Sequence, residues 1–177
     1  GLRFANEGLS DGSVRQSPFL SGSGNVSISA LRDVVGGSNG ATPYLTNWWW
    51  RTLDTDGQAL WYTRYDQFEQ GFASFGGGDV RVSAGRDALQ VQLAAPETGL
   101  LLEDGATRLS GGDVSLSAGR QVVAGMLIAG GDEARVTAAE IVALPSPDEL
   151  TAGDALVVLH GDTAVTLQAR QGLEVGR

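Results

Sequence analysis

A ten-residue phrase recurs along this chain, and it constrains the fold more than any other feature of the sequence. Three close copies occupy residues 24–33, 78–87 and 112–121, and they read GNVSISALRD, GDVRVSAGRD and GDVSLSAGRQ. Two looser copies follow at residues 134–138 and 165–171. Repeats of this kind are typical of architectures in which each repeat packs on its predecessor.

Within each copy, apolar and polar residues alternate. Val80, Val82 and Ala84 fall on one face of an extended chain, and Arg81 and Ser83 fall on the other. Glycine and aspartate bracket the copies, and both favour tight turns because glycine accepts positive φ and aspartate caps nearby backbone. Each copy is therefore predicted to be a short, half-buried β-strand between two turns.

Further strands are predicted at residues 89–93, 100–102 and 156–159, and no long amphipathic helix separates them. Short strands without crossover helices could also form a sandwich, but near-identical copies favour stacked coils with small residues at the corners. We expect Ala84, Ala118 and Ala169 to face inward at such corners. The sequence predicts an all-β, parallel β-solenoid over residues 1–177, with about 20 residues per coil and on the order of eight coils.

Two segments resemble a known family. Residues 76–87 (GGGDVRVSAGRD) and the aromatic stretch at 61–72 (WYTRYDQFEQGF) are similar to filamentous-haemagglutinin-type large exoproteins, which are exported by two-partner secretion. The resemblance covers most of residues 20–125. It implies a right-handed parallel β-helix in an extracellular fibre at the bacterial surface, with roles in adhesion, aggregation, biofilm formation or virulence.

The resemblance also implies an outer-membrane secretion partner that acts on the parent protein, and it implies no catalytic residues. The amino-terminal secretion module of the family and a toxin-like terminal domain are not recognisable. No signal peptide is recognisable either. We therefore expect an internal or carboxyl-terminal fragment of a secreted protein.

Charge narrows the set of partners. The chain carries 12 Lys+Arg against 21 Asp+Glu, a net charge of −9. This balance disfavours binding to nucleic acid or to anionic membranes. No apolar run approaches the roughly 20 residues that a membrane-spanning helix needs, so no span is expected.

The residue types that catalysis and metal binding require are scarce. The chain contains no cysteine, and His160 is its only histidine. A histidine-based triad or a two-histidine zinc site is therefore excluded, and we expect His160 to end a strand. Asp79 and Asp113 give one carboxylate per copy, too few for calcium, and turn capping accounts for them. No metal or cofactor is expected.

Carboxylate pairs were weighed as a glycosidase-like acid and base. Asp54 with Asp56, and Glu103 with Asp104, are the closest pairs considered. Adjacent residues on a strand point to opposite faces, and the context of Asp54 and Asp56 is typical of a turn. No catalytic residue is predicted, and the chain is not expected to be an enzyme.

Aromatic residues concentrate in one segment. All of them except Phe4 and Phe19 lie between residues 44 and 75, where the repeat is interrupted. Residues 41–76 are therefore predicted to be an aromatic-rich insertion, or cap, on the solenoid. Tyr65, Phe68 and Phe75 belong to a spacing, completed by Phe72, that favours a short helix.

This aromatic insertion allows two interpretations. One is an exposed platform for a host or bacterial surface glycan or protein, formed by Trp48, Trp49, Trp50, Trp61 and Tyr62. The other, which we favour, is that the rings cover a flank or end of the solenoid and protect strand edges.

The predicted function is a structural and adhesive shaft. One alternative is a carbohydrate-binding or carbohydrate-active β-helix protein, which a cleft lined by carboxylates would favour. Another is a protein-assembly module in which the aromatic insertion mediates self-association or contact with another chain.

Overall fold

A computed structural model describes residues 2–8, 14–20, 22–36, 48–53, 56–63, 68, 71–102, 105–142, 156–160 and 162–174. Within these residues the chain is all β and contains no helix. Accordingly, no helix in this part of the chain could cross a membrane.

The described residues form sixteen strands. They are β1 Leu2–Gly8, β2 Val14–Leu20, β3 Val26–Ala30, β4 Val34–Val35, β5 Trp49–Leu53, β6 Ala59–Thr63, β7 Phe72–Ala73, β8 Val80–Ala84, β9 Asp87–Ala95, β10 Thr98–Leu102, β11 Gly105–Leu109, β12 Val114–Ala118, β13 Gln121–Ala129, β14 Glu133–Val142, β15 Leu156–His160 and β16 Ala164–Glu174. The strands predicted at 89–93, 100–102 and 156–159 are present, and His160 ends β15 as expected.

Ten of these strands make one large parallel sheet, and the other six form the antiparallel hairpins β1–β2, β5–β6 and β10–β11. The five motif copies lie side by side in it as β3, β8, β12, β14 and β16, which we call the first ladder. Their first apolar residues align in register as Val26, Val80, Val114, Ala134 and Val165. The predicted all-β, parallel pairing of copy on copy is confirmed.

Two further ladders complete the sheet. In the second ladder the neighbouring strands follow the order β4, first half of β9, first half of β13, second half of β14 and second half of β16. In the third ladder the order is β7, second half of β9, second half of β13 and β15. The chain passes from the second ladder to the third at Gln90 and Ala124, whose φ angles of 51° and 53° place them in the left-handed region.

The apolar faces of the three ladders meet in one core. Val80, Leu93, Leu116, Leu127 and Ile141 are each no more than 1% exposed. Each such side chain contributes roughly 1.5–3 kcal/mol through burial. The predicted alternation holds in β8, where the three apolar residues are buried and the two polar ones are exposed.

A column of side-chain hydrogen bonds explains the Gly-Asp turn of the motif. Asn25 Oδ1 accepts from the Asp79 backbone N–H (2.9 Å), and Asp79 Oδ1 accepts from that of Asp113 (3.0 Å). Asp113 Oδ1 in turn accepts from the N–H of Glu133 (2.9 Å). Each carboxylate or amide thus caps the next copy, as short polar side chains do in turns.

The Arg-Asp end of the motif forms a second column. Arg86 donates to Asp33 through two nitrogens, at 3.1 and 3.0 Å. Arg120 makes the same two-nitrogen contact with Asp87, which is only 4% exposed. Paired bonds of this geometry are among the stronger ones in proteins, so the arginine of one copy fastens it to the copy before.

Two expectations need correction. The helix proposed through Phe68, Phe72 and Phe75 does not form, because Phe72 lies in β7 and packs into the core whereas Phe68 and Phe75 join a different cluster; Tyr65 lies outside the described residues. The first ladder is five strands deep in the described part, fewer than the eight coils expected. Long segments, including the β5–β6 and β10–β11 hairpins, separate successive copies, so fewer copies fit into the length of the chain.

Candidate functional site

Part of the aromatic insertion covers the outer face of the third ladder. Trp48 is 3% exposed and packs with Ala94 and Ile128, two side chains that point away from the main core. Phe68 and Phe75 meet Trp48 edge-on, with ring centroids 5.0 and 6.1 Å away. These rings bury the outer face of the sheet at the third ladder.

The hairpin β5–β6 extends this cluster outward as a row of indoles. Trp49 stacks on Trp61 with centroids 4.2 Å apart and planes 18° apart, and it lies 6.3 Å from Trp48 on a similar plane. Trp49 pairs with Thr63 across the hairpin, so Trp61, two residues before Thr63, is its diagonal neighbour on the same face. The row therefore runs from buried Trp48 through Trp49 to Trp61.

The hairpin β10–β11 holds this row in place from the other side. Leu60 in β6 is fully buried, and it lies directly against Gly99 in β10. A Cβ at Gly99 would stand 2.0 Å from Leu60 Cδ1. Only glycine permits this approach without displacing Leu60, so the two hairpins pack closely.

An open cleft of about 270 Å³ lies beside the outer indoles. Its lining combines the rings of Trp49 and Trp61 with polar side chains from three corners of the parallel sheet. These polar residues are Glu97, Asp132, Asp162 and Thr163, and Ala129, Gly130 and Gly131 complete the lining.

The pairing of the third ladder brings these corners together. Ala95, Ala129 and His160 end β9, β13 and β15 and are aligned in register. Residues that follow the ends of neighbouring strands are offset by about 4.8 Å per strand. Glu97 and Asp132 therefore become neighbours in the cleft, together with Asp162, although they are far apart in the sequence.

The carboxylates of the cleft differ in their partners. Glu97 forms an ion pair with Arg108 of β11, at 3.3 Å. Asp132 and Asp162 are exposed, and neither side chain has an ion-pair partner among the described residues. In the same part of the chain no three histidine or acidic side chains are grouped to hold a metal ion.

Two further groups limit what a ligand can meet. Thr163 is 6% exposed, and its hydroxyl donates to the Gly131 carbonyl at 2.7 Å, which leaves the Thr163 oxygen as an acceptor. Trp49 Nε1 is shielded from solvent and has no hydrogen-bond partner in the described part of the chain. The cleft therefore offers flat apolar rings and mainly hydrogen-bond acceptors.

The five aromatic residues proposed as a platform separate in the structure. Trp49 and Trp61 line the cleft, whereas Trp48 is buried and does not belong to an exposed surface. Its indole fills the space over the third ladder, which is why it is not available to a ligand. Trp50 and Tyr62 lie opposite each other in β5–β6, and their side chains are outside the described part.

Sequence reasoning did not find the acidic residues of the cleft. One signal was available: the Gly-Asp pair at residues 131–132 is shifted by one position relative to residues 112–113, because Asp113 aligns with Glu133. The backbone N–H of Glu133 is therefore the group that Asp113 caps, and Asp132 lies in the lining of the cleft.

This chain was compared with known proteins, and no family model, no curated protein and no solved structure matches it.

Proposed function

We propose that this chain is a segment of a right-handed parallel β-solenoid, the shaft of a secreted bacterial surface exoprotein of the filamentous-haemagglutinin type. In this proposal it mediates adhesion or aggregation and is not an enzyme. Export through an outer-membrane secretion partner is part of the same proposal and follows from the resemblance of residues 61–72 and 76–87. The observation that carries the proposal is the in-register stacking of the five motif copies.

The two ends of the parallel sheet support a segment within a longer fibre. At one end β3 and β4 each pair on a single side in the described part of the chain, and β16 does so at the other end. Apolar side chains are exposed there: Leu31 is 98% exposed and Val35 is 67% exposed. Unpaired edges with apolar residues favour stacking of another strand, either from the same protein or from another copy.

The cleft favours a second candidate, a carbohydrate-binding or carbohydrate-active module. Stacked indoles beside carboxylates are suited to sugar rings, and a pair of carboxylates is also the machinery of glycoside hydrolysis. Binding and catalysis are separate possibilities for the same surface. We propose binding, because a sugar site on the flank of a shaft is also what an adhesin requires.

A glycan-array and cell-adhesion comparison tests the adhesive role. The wild-type chain is compared with Trp61→Ala, which removes the outer indole, and with Arg81→Ala, which alters an exposed residue on the first ladder. We expect the wild type and Arg81→Ala to bind, and Trp61→Ala to lose at least tenfold in affinity. Circular dichroism must show that all three are folded. Binding by none of them would contradict an adhesive role for this segment.

A hydrolysis assay separates binding from catalysis. The chain is incubated with a panel of polysaccharides, and new reducing ends are measured for the wild type and for Asp132→Asn combined with Asp162→Asn. We expect no release above the buffer control. Release by the wild type that disappears in the double variant would replace the shaft proposal with an enzyme.

A further inference from the structure

The charge of the cleft selects among sugars. Its described lining contains no lysine or arginine, and Asp132 and Asp162 have no ion-pair partner within the described chain. Glu97 is the carboxylate that is already neutralised, through Arg108. With a net charge of −9 on the whole chain, the cleft repels anionic sugars and attracts a positive group.

Trp61 has a single stacking partner among the described rings. Trp49, in contrast, stacks with both Trp48 and Trp61. No other described ring stacks on Trp61. Trp61 lines the cleft. An indole offers a flat apolar surface to the C–H face of a pyranose ring, and its π-system also attracts a nearby cation.

The size of the cleft limits the ligand to a small group. A volume of about 270 Å³ corresponds to on the order of nine water molecules at about 30 Å³ each. One sugar ring fits this space, whereas the rest of an oligosaccharide must extend into solvent through the open side.

The polar groups of the cleft call for a ligand that is rich in donors. Carboxylates accept hydrogen bonds, as those of Asp132 and Asp162 do. The Thr163 hydroxyl can also only accept one from a ligand, because its proton is donated to the Gly131 carbonyl. The N–H groups of Gly130 and Gly131 already donate to backbone carbonyls, at 2.9 Å each. A hexosamine carries hydroxyl and ammonium donors around a ring, and so it can reach acceptors from two neighbouring corners.

We infer that the cleft binds one hexosamine residue with a free amino group. Its ring stacks on Trp61, and its ammonium is held by Asp132 and Asp162. A lysine side chain carries the same ammonium group, but it has neither hydroxyl donors nor a ring face to cover the indole. The inference rests on the proposed function, since it names the sugar that the adhesive surface recognises.

Calorimetric titration of the full chain with four probes tests this inference. The probes are a β-1,4-linked glucosamine trimer, its N-acetylated form, the corresponding glucose trimer and a lysine tripeptide. We expect the glucosamine trimer to bind about tenfold or more tightly than the other three, because only it combines the ring with charge-assisted hydrogen bonds. Equal binding of the N-acetylated or glucose trimer would overturn the amino-group selection, and tighter binding of the tripeptide would indicate a protein ligand.

Matched variants locate the site. Asp132→Asn with Asp162→Asn removes two charges inside the cleft, and Glu140→Gln with Glu174→Gln removes two charges outside its lining. We expect the first pair to abolish the preference for the glucosamine trimer and the second pair to preserve it. Loss of the preference in both double variants would show that net charge, rather than the cleft, selects the sugar, and would overturn the inference.

The inference and the proposed function fail separately. Adhesion to cells without binding of the glucosamine trimer would overturn the hexosamine site and leave the adhesive shaft in place. Binding of the trimer without any adhesion would support the site and contradict the adhesive role.

Discussion

Buried hydroxyl groups in this protein differ in whether they have a partner. Thr98 is fully buried, and its Oγ1 has no hydrogen-bond partner among the described residues, whereas Thr163 donates to the Gly131 carbonyl at 2.7 Å. A buried polar atom without a partner costs roughly 1–3 kcal/mol. The two threonines therefore have opposite effects on stability although both are buried.

Replacing each threonine with valine, which has nearly the same shape, tests this difference. Thr98→Val should raise the free energy of unfolding by about 1 kcal/mol, because it removes an unpaired hydroxyl. Thr163→Val should lower it by about 1 kcal/mol, because the Gly131 carbonyl loses its donor. Urea denaturation measures both. A loss of stability in both variants would mean that the Thr98 hydroxyl is hydrogen-bonded after all.

The ion pair of Asp87 with Arg120 makes stability depend on pH. The hydrogen bonds from Arg120 lower the pKa of Asp87 below its ordinary value of 3.8, and burial opposes this effect without reversing it. A carboxyl group with a lowered pKa in the folded state stabilises the protein fully above its unfolded pKa. This contribution is lost as the pH falls from about 4 through the lowered folded pKa.

Denaturation at a series of pH values between 7 and 2 checks this. The wild type should lose stability below about pH 4, and Asp87→Asn should show a flatter dependence in that range because the titrating group is gone. Arg120→Gln should flatten the dependence as well, since it removes the cause of the lowered pKa. An Asp87→Asn variant with the wild-type slope would assign the acid sensitivity to other carboxylates.

The element that carries the candidate site is the hairpin β5–β6. It lies between the outer face of the third ladder, which Trp48 covers, and the hairpin β10–β11, which contacts it through Gly99 and Leu60. The position of Trp61 therefore depends on contacts that lie on both sides of its own hairpin.

Enlarging Gly99 should disturb this arrangement. Gly99→Val places a side chain where Leu60 packs, and overpacking of this kind costs roughly 1–3 kcal/mol. We expect a lower melting temperature together with weaker binding at the cleft. Gly172→Val is the matched control, because nothing lies within 4 Å of a Cβ at that position. Equal effects of the two variants would show that the contact with Leu60 does not hold the hairpin.

At the scale of the molecule, each motif copy gains most of its contacts from its neighbours. β12 has a paired strand on both sides, whereas β3 and the first half of β16 have one each in the described chain. In repeat proteins stability is close to a sum of such nearest-neighbour contacts, so terminal repeats open first.

Hydrogen exchange should therefore show a gradient along the sheet. We expect the slowest amides in β12 and β13, around Leu116 and Leu127, and faster exchange in β3 and β16, although all are strands. Mass spectrometry of exchanged peptides measures this. Uniform protection in every strand would indicate a single cooperative unit rather than additive copies.

Local patterns in the chain were enough to locate the motif strands, three further strands and the side that each motif copy buries, but they did not indicate β13 or the hairpins β1–β2 and β5–β6. Alternation at Val80, Val82 and Ala84 specifies a buried face because side chains alternate along any extended strand, whatever surrounds it. The Gly-Asp and Arg-Asp pairs mark the corners because their backbone preferences and capping are also local. Sequence repetition then predicted that the copies pair with one another.

Local spacing could not reveal the fate of the aromatic residues or the composition of the cleft. Phe72 satisfies a helical spacing with Phe68 and Phe75. In the structure, however, Phe72 packs into the core, whereas Phe68 and Phe75 pack on the outer face of the third ladder. Asp132 and Asp162 meet Trp61 only because strands distant in sequence pair in one register. Such proximity comes from long-range pairing and from the packing of inserted hairpins, which no short window of sequence encodes.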